Sequence, residues 1–174
     1  MNRITKRGVI GLIISILLIL LDQITKLLAV KYLKSQEPFV IWNNVFELRY
    51  LENRGAAFGI MQGQKLFFVI FTSIALVAIV WFYLKKIPAE KKYIYLDIIS
   101  VLLFSGAIGN LIDRVRLNYV IDFFYFILID FPIFNVADIY VTVAAFAMFG
   151  LGLFYYKDED YELIFPSKKK KGEN

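Results

Sequence analysis

Residues 66–84 carry no charge. At about 1.5 Å per residue, a helix of that length spans the ~30 Å hydrocarbon core of a bilayer. A segment of this kind excludes most soluble folds, and the chain repeats the pattern. An apolar run covers 9–21, admits Asp22, and continues in helix-forming residues to about 30. A third run covers 93–112, with Asp97 near its start, and a fourth covers 132–156. The fourth carries Ala137, Ala144, Ala145, Ala147, Gly150 and Gly152, which suit close helix packing in lipid. Overall, 59% of the residues are hydrophobic, against about 45–50% in soluble domains. The reading is a mainly α membrane protein: four transmembrane helices at about 9–30, 66–84, 93–112 and 132–156. A basic start before an apolar run also fits a signal peptide. However, no small-x-small cleavage site follows, and the helical pattern runs on through Asp22 and Lys26.

Lysine and arginine placement predicts orientation. Arg3, Lys6, Arg7, Lys85, Lys86, Lys91, Lys92, Lys157 and Lys168–Lys171 fall at the two termini and the second connection. The other connections hold fewer. Both termini are therefore expected in the cytoplasm, in a multi-pass protein of a cytoplasmic membrane. Because the lysines gather at segment ends, the net charge of +5 does not point to nucleic acid. The residues 157–174 are read as a charged, disordered cytoplasmic tail, beyond a single membrane domain at 1–156. Residues 119–131 are apolar but only about thirteen long, and Asp122 and Asp130 interrupt them. They are too short for a fifth crossing and are expected as an outer loop against the membrane interface.

The first connection is long, and long connections are often functional. Phe46, Leu48 and Tyr50 alternate with Glu47 and Arg49, a strand period. A small extracytoplasmic β-cradle is expected between helices 1 and 2, at about 38–60. Gly55 and Gly59 permit a turn or close backbone approach there.

The chain has no cysteine and no histidine. Disulfides, Cys nucleophiles, Ser-His triads and the usual zinc ligand sets are excluded. No metal and no cofactor is expected. Chemistry must come from the polar residues inside the apolar segments, which default to functional. Their depths agree. Asp22 lies roughly 20 Å along the first span. Asn110, Asp113 and Arg114 end the third, Asn135 and Asp138 begin the fourth, and Asn53 and Arg54 lie in the outer loop. All gather toward the outer leaflet. Asp22 and Lys26 stand i,i+4 and can pair, either to neutralise one another or to orient neighbouring groups. Asp97 reads as an interfacial residue near the cytoplasmic end. Asp122, among Ile121, Phe123 and Phe124, and Asp138, behind Asn135, have no local cation. Burial and mutual repulsion disfavour their joint ionisation, so a pair sharing one proton would supply a base and an acid. Two unrelated interfacial aspartates remain the alternative from spacing alone. A small ion- or proton-coupled transporter would also use intramembrane carboxylates, and a non-catalytic assembly subunit would explain the packing.

Five motifs decide among these. They are Asp22-Gln-Ile-Thr-Lys26, Asn53-Arg-Gly-Ala-Ala-Phe-Gly59, Gly109-Asn-Leu-Ile-Asp-Arg114, Val120-Ile-Asp-Phe123 and Phe134-Asn-Val-Ala-Asp138. In this order and spacing the chain resembles the lipoprotein signal peptidases, the type II signal peptidases, aspartyl proteases of the bacterial cytoplasmic membrane. The resemblance implies that Asp122 and Asp138 are the catalytic pair. It implies that Asp22, Lys26, Asn53, Gly55, Asn110, Arg114 and Asn135 bind substrate or support the pair. It implies a prolipoprotein substrate whose lipobox cysteine carries diacylglycerol, cut just before that cysteine. It also implies four transmembrane helices with an outer β-cradle and a small loop helix. The expected partners are that substrate and membrane lipid, for a chain acting as a monomer. Where family members often have glycine between the Asp-Arg and Asp-Phe motifs, this chain has Asn118, which tolerates a left-handed backbone better than most residues.

Overall fold

The computed structural model describes residues 3–55 and 63–166. The expected Gly59 turn and the Lys168–Lys171 run lie outside the described residues. Four helices, α1 (Arg3–Leu33), α2 (Lys65–Lys85), α3 (Ile94–Leu117) and α4 (Val136–Phe154), are long and apolar enough to cross a membrane. At most 33% of any spanning window is buried inside the protein. The bundle therefore leaves most of its apolar surface for lipid to cover. The third helix is the hub, touching α1, α2 and α4. Its buried face includes the small residues Ser100, Ser105, Gly106 and Gly109. The serine hydroxyls donate within the helix, to the carbonyls of Leu96 and Val101. A Cβ at Gly106 would sit 2.5 Å from the Ala137 carbonyl oxygen and 2.7 Å from a Val141 methyl. That absence of side chain sets how closely α3 and α4 approach, as expected where small residues line a helix interface in lipid.

Local sequence explains the helix ends. Asn118 takes the left-handed conformation (φ 69°) and its N–H bonds the Arg114 carbonyl, so α3 stops there. The turn expected to survive glycine's replacement is present. At the start of α4, the Asn135 side chain accepts from the Asp138 N–H, and the Asp138 carboxylate accepts from the Asn135 N–H. This reciprocal capping box satisfies two donors that the first turn would leave orphaned.

The cradle is a three-stranded antiparallel sheet, β1 (Phe39–Trp42), β2 (Phe46–Asn53) and β3 (Val120–Tyr125), in that spatial order. The alternation at 46–51 is a strand, as its period requires. The sheet is not confined to the first connection, however. β3 comes from the segment expected as an interfacial loop between the third and fourth helices. Leu48 pairs with Phe124, Leu51 with Asp122 and Asn53 with Val120, with a bulge between Leu48 and Leu51. Pairing satisfies the β3 backbone, which an apolar loop at the interface would leave unbonded. Ile121 and Phe123 then bury against Ala29 and Leu33 of α1 and Leu48 of β2.

A second correction concerns the tail. Residues 158–164, expected as disordered, form α5 (Asp158–Ile164). Its Asp160 is buried and accepts from Lys92 Nζ at 2.7 Å, Tyr93 Oη at 2.8 Å and the Lys157 N–H at 2.9 Å. Ile164 packs with Ile87, Tyr93, Leu96 and Tyr156. At the same end, Arg7 donates to the carbonyls of Tyr83 and Ile87, capping α2 from α1. Its Nε lies 3.6 Å from Asp97, which is therefore paired.

Two outcomes follow from this packing. Gly106→Ala overfills the α3–α4 contact and should destabilise by about 1–3 kcal/mol, read as a lowered melting temperature in detergent. The Lys157 N–H, with Lys92 and Tyr93, pushes the Asp160 carboxyl down to about 2. Between that value and the ordinary carboxylate range the unfolded chain holds more protons than the folded one, so stability rises with pH across that window. The melting-temperature gap between the native chain and Asp160→Asn should be full at neutral pH and close as pH falls toward 2.

Candidate active site

The described polar residues expected to gather meet where α1, α3, α4 and the sheet join, except Arg54, which is largely exposed and pairs with Glu52. The centre is Lys26, which is 1% exposed. Its Nζ lies 3.0 Å from Asp22 Oδ2, 3.0 Å from Asp113 Oδ2 and 3.0 Å from Asn110 Oδ1. Three acceptors around one ammonium use its three donors. The i,i+4 pair with Asp22 is real, and it does more than neutralise itself. Asp22 Oδ1 accepts the Ala137 N–H at 2.9 Å, so α1 holds the first turn of α4. Asp113 Oδ2 accepts the Ile121 N–H at 3.1 Å, so α3 holds β3 one residue before Asp122.

From this centre the asparagines reach outward. Asn110 Oδ1 faces Lys26 and also accepts from Asn135 Nδ2 at 3.0 Å. Its own Nδ2 is therefore turned to Asp138 Oδ1, at 2.8 Å. Asn135 Oδ1 is taken by the Asp138 N–H, which turns Asn135 Nδ2 to Asp122 Oδ1, at 2.6 Å, and to the Ile121 carbonyl. Asn53 Oδ1 accepts the Gly55 N–H, and its Nδ2 donates to Asp122 Oδ2 at 2.8 Å. In each case a donor fixes the amide oxygen, and the amide nitrogen then faces a carboxylate.

Asp122 and Asp138 line one cavity of about 510 Å³, together with Asn53, Gly55, Asn110 and Arg114. Its apolar wall comes from Phe131, Pro132 and Ile133 of the β3–α4 connection and from Ile139 and Val143 of α4. Arg114 sits with its guanidinium carbon 4.9 Å from the Phe68 ring centre and its Nη2 3.5 Å from the Gly55 carbonyl oxygen. Burial pushes the Asp122 carboxyl up to about 7, and the negative charge of Asp138 adds to the rise. The amides of Asn53 and Asn135 oppose it by favouring the charged form.

Two residues of the network fell outside the expected set. Asp113, placed by the sequence at the end of the third span but not in the set implied to support the pair, is buried and shares Lys26. Its spacing of one helical turn from Asn110 was the available signal. Gln23 donates to Asp22, Asp113 and the Gly109 carbonyl. Nothing in its sequence position marks it beyond adjacency to Asp22. Asp130 is exposed and bonds Tyr125, away from the cavity.

A family model described as Signal peptidase (SPase) II matches residues 14–154. A lipoprotein signal peptidase of Clostridium tetani is 41% identical over 154 residues, covering 87% of this chain and 95% of that protein. One of Clostridioides difficile is 46% identical over 132 residues, covering 76% and 86%. Among solved structures, a bacterial membrane enzyme determined by the in meso method at 2.3 Å superposes with a TM-score of 0.76 at 31% identity, covering 94% of each chain.

Removing the central cation should be costly. Lys26→Met leaves Asp22 and Asp113 buried without their partner, and breaking a buried pair typically costs about 3–5 kcal/mol. The expected readout is loss of folded protein in thermal or denaturant unfolding, larger than for Lys34→Met, whose partner Glu52 is at the surface.

Proposed function

The chain belongs to the signal peptidase II family, and on that premise we propose that Asp122 and Asp138 are its catalytic pair in removing signal peptides from prolipoproteins. It is an aspartic endopeptidase and a multi-pass bacterial membrane protein. The observation that carries the residue assignment is that both carboxylates line one cavity, each held by asparagine amides whose orientation is set from behind.

The reaction follows from that arrangement. One carboxylate accepts a proton from a water as its oxygen attacks the scissile carbonyl. The other, protonated, donates a hydrogen bond and then its proton toward the leaving amine, and the C–N bond breaks. Asn53, Asn110 and Asn135 keep the carboxylates in place, and Lys26, Asp22 and Asp113 keep the asparagines and backbone in place. Arg114 and Gly55, on the cavity wall, position the substrate backbone. The cut falls before the diacylglyceryl-modified lipobox cysteine. A lipid-anchored substrate stays in the bilayer, and the apolar wall of Phe131, Ile139 and Val143 suits entry from lipid. The polar cluster sits at the end of α3 and the start of α4. Transporter sites more often lie at the midplane of broken helices. With both termini in the cytoplasm, this end faces the outer leaflet. Residues 1–156 form the peptidase domain, residues 157–174 lie in the cytoplasm, and the chain acts as a monomer.

The test is cleavage of a diacylglyceryl-modified prolipoprotein by reconstituted protein. Asp122→Asn and Asp138→Asn should each reduce turnover at least a thousandfold with the fold intact. Near-native turnover by either would exclude the dyad. The pair titrates as a unit, and its shared proton is present below the raised Asp122 value of about 7. Turnover should therefore fall as pH rises through neutrality. A rate that stays flat to pH 9 would contradict the role given to that proton.

A further inference from the structure

At the end of the bundle opposite the aspartates lies a second concavity that the peptidase chemistry does not use. It runs between α1 and α3, has a volume of about 480 Å³, and is walled by Ile10, Ile14 and Leu18 on one side and Ile94, Ile98 and Leu102 on the other. From Arg7 to Leu18 the groove follows α1 for roughly 16 Å at 1.5 Å per residue. That is about half of a ~30 Å hydrocarbon core, the depth of one leaflet.

The mouth of this groove is polar and unevenly charged. Lys6, Arg7, Glu90, Lys91 and Asp97 surround it. Arg7 is committed, paired with Asp97 and bonded to the carbonyls of Tyr83 and Ile87. Among the described residues, the side chains of Lys6, Lys91 and Glu90 have no ion-pair or hydrogen-bond partner. The mouth therefore carries two uncommitted ammonium groups and one uncommitted carboxylate, a surplus of one positive charge. Lysine presents a compact charge on a flexible stem, which suits a phosphate at the interface more than a fixed planar partner.

We propose that this groove binds one anionic glycerophospholipid, with its phosphodiester between Lys6 and Lys91 and an acyl chain along the α1–α3 furrow. The single negative charge of such a lipid matches the surplus at the mouth. A zwitterionic lipid would leave that surplus uncompensated. Glu90 is placed to accept from headgroup hydroxyls. Gly11 and Tyr83 also line the groove, and Gly11 admits α2 closely: a Cβ there would lie 2.5 Å from the Tyr83 hydroxyl, which instead reaches the Arg7 carbonyl at 2.9 Å. The contact fixes how α1 and α2 meet at this end, and the furrow opens beside it.

The test reads lipid binding rather than cleavage. In full-length Trp42→Phe/Trp81→Phe protein, one reporter is introduced as Ile98→Trp in the groove and another, separately, as Phe146→Trp on the exposed face of α4. Each is reconstituted with brominated phosphatidylglycerol or brominated phosphatidylcholine. Each lysine near a membrane surface favours anionic lipid by roughly fivefold. The groove reporter should therefore show at least that preference for phosphatidylglycerol in quenching, and the α4 reporter should show little. Lys6→Gln/Lys91→Gln should abolish the difference while leaving prolipoprotein turnover unchanged. Equal preference at both reporters, or a preference that survives the double substitution, overturns the proposal. Because a tryptophan at 98 could fill the groove, native mass spectrometry of the unaltered chain provides a second measure. Phosphatidylglycerol should be retained over phosphatidylcholine, and equal retention also overturns it.

Discussion

One ammonium shared by two carboxylates organises the end of the bundle where α1, α3, α4 and the sheet meet. Lys26 alone could be neutralised by Asp22 one turn away. The structure gives it Asp113 as well, and each of these carboxylates also accepts a backbone N–H from another element. Through Asp22 the lysine reaches the start of α4, and through Asp113 it reaches β3. The elements that carry the two proposed catalytic residues are therefore tied to one charge that neither residue touches. A buried pair is not in itself strong evidence for stability, since desolvation can cancel the attraction. Here its value is geometric: removing the charge would release two helices and a strand together.

The asparagines extend the same logic. An amide offers an acceptor at one end and donors at the other, and a flip exchanges them. Each of Asn53, Asn110 and Asn135 has its oxygen engaged by a fixed donor, and the nitrogen is left to face a carboxylate. Such a chain of oriented amides is preorganised in the sense that matters for polar catalysis: little has to turn when charge moves.

Much of this was visible in the sequence because the bilayer is a severe filter. A polar or charged residue inside a 20-residue apolar run is costly, so Asp22, Lys26, Asn110, Asn135 and Asp138 stood out, and their common depth suggested that they meet. Asn118 was legible because few residues accept its backbone conformation. The third strand was not legible. Residues 120–125 pair with 47–53, some seventy residues earlier, and no local period reveals a partner that distant. The bulge between Leu48 and Leu51 was equally hidden. The tail failed for a different reason. Its acidic run looks like a solvated segment, and the Lys92 and Tyr93 side chains, supplied by the turn before α3, tie Asp160 to the bundle. Asp113 was legible only by its depth and its one-turn spacing from Asn110, because its partners Lys26 and the Ile121 N–H come from other elements of the chain.

The capping box of α4 has a consequence for how this sequence can vary. A helix cap is usually one of the more exchangeable positions in a protein, since serine, threonine, asparagine and aspartate serve nearly alike. At Asn135 and Asp138 that freedom is gone. Asp138 spends Oδ2 on the Asn135 N–H and presents Oδ1 to Asn110. Asn135 spends its oxygen on the Asp138 N–H and its nitrogen on Asp122. Serine in place of Asn135 could still start the helix but would have no amide to offer Asp122. Glutamate in place of Asp138 could still carry a charge but would be one methylene out of register with Asn110. Folding and the proposed chemistry thus draw on the same four atoms, so a drift neutral for one is not neutral for the other.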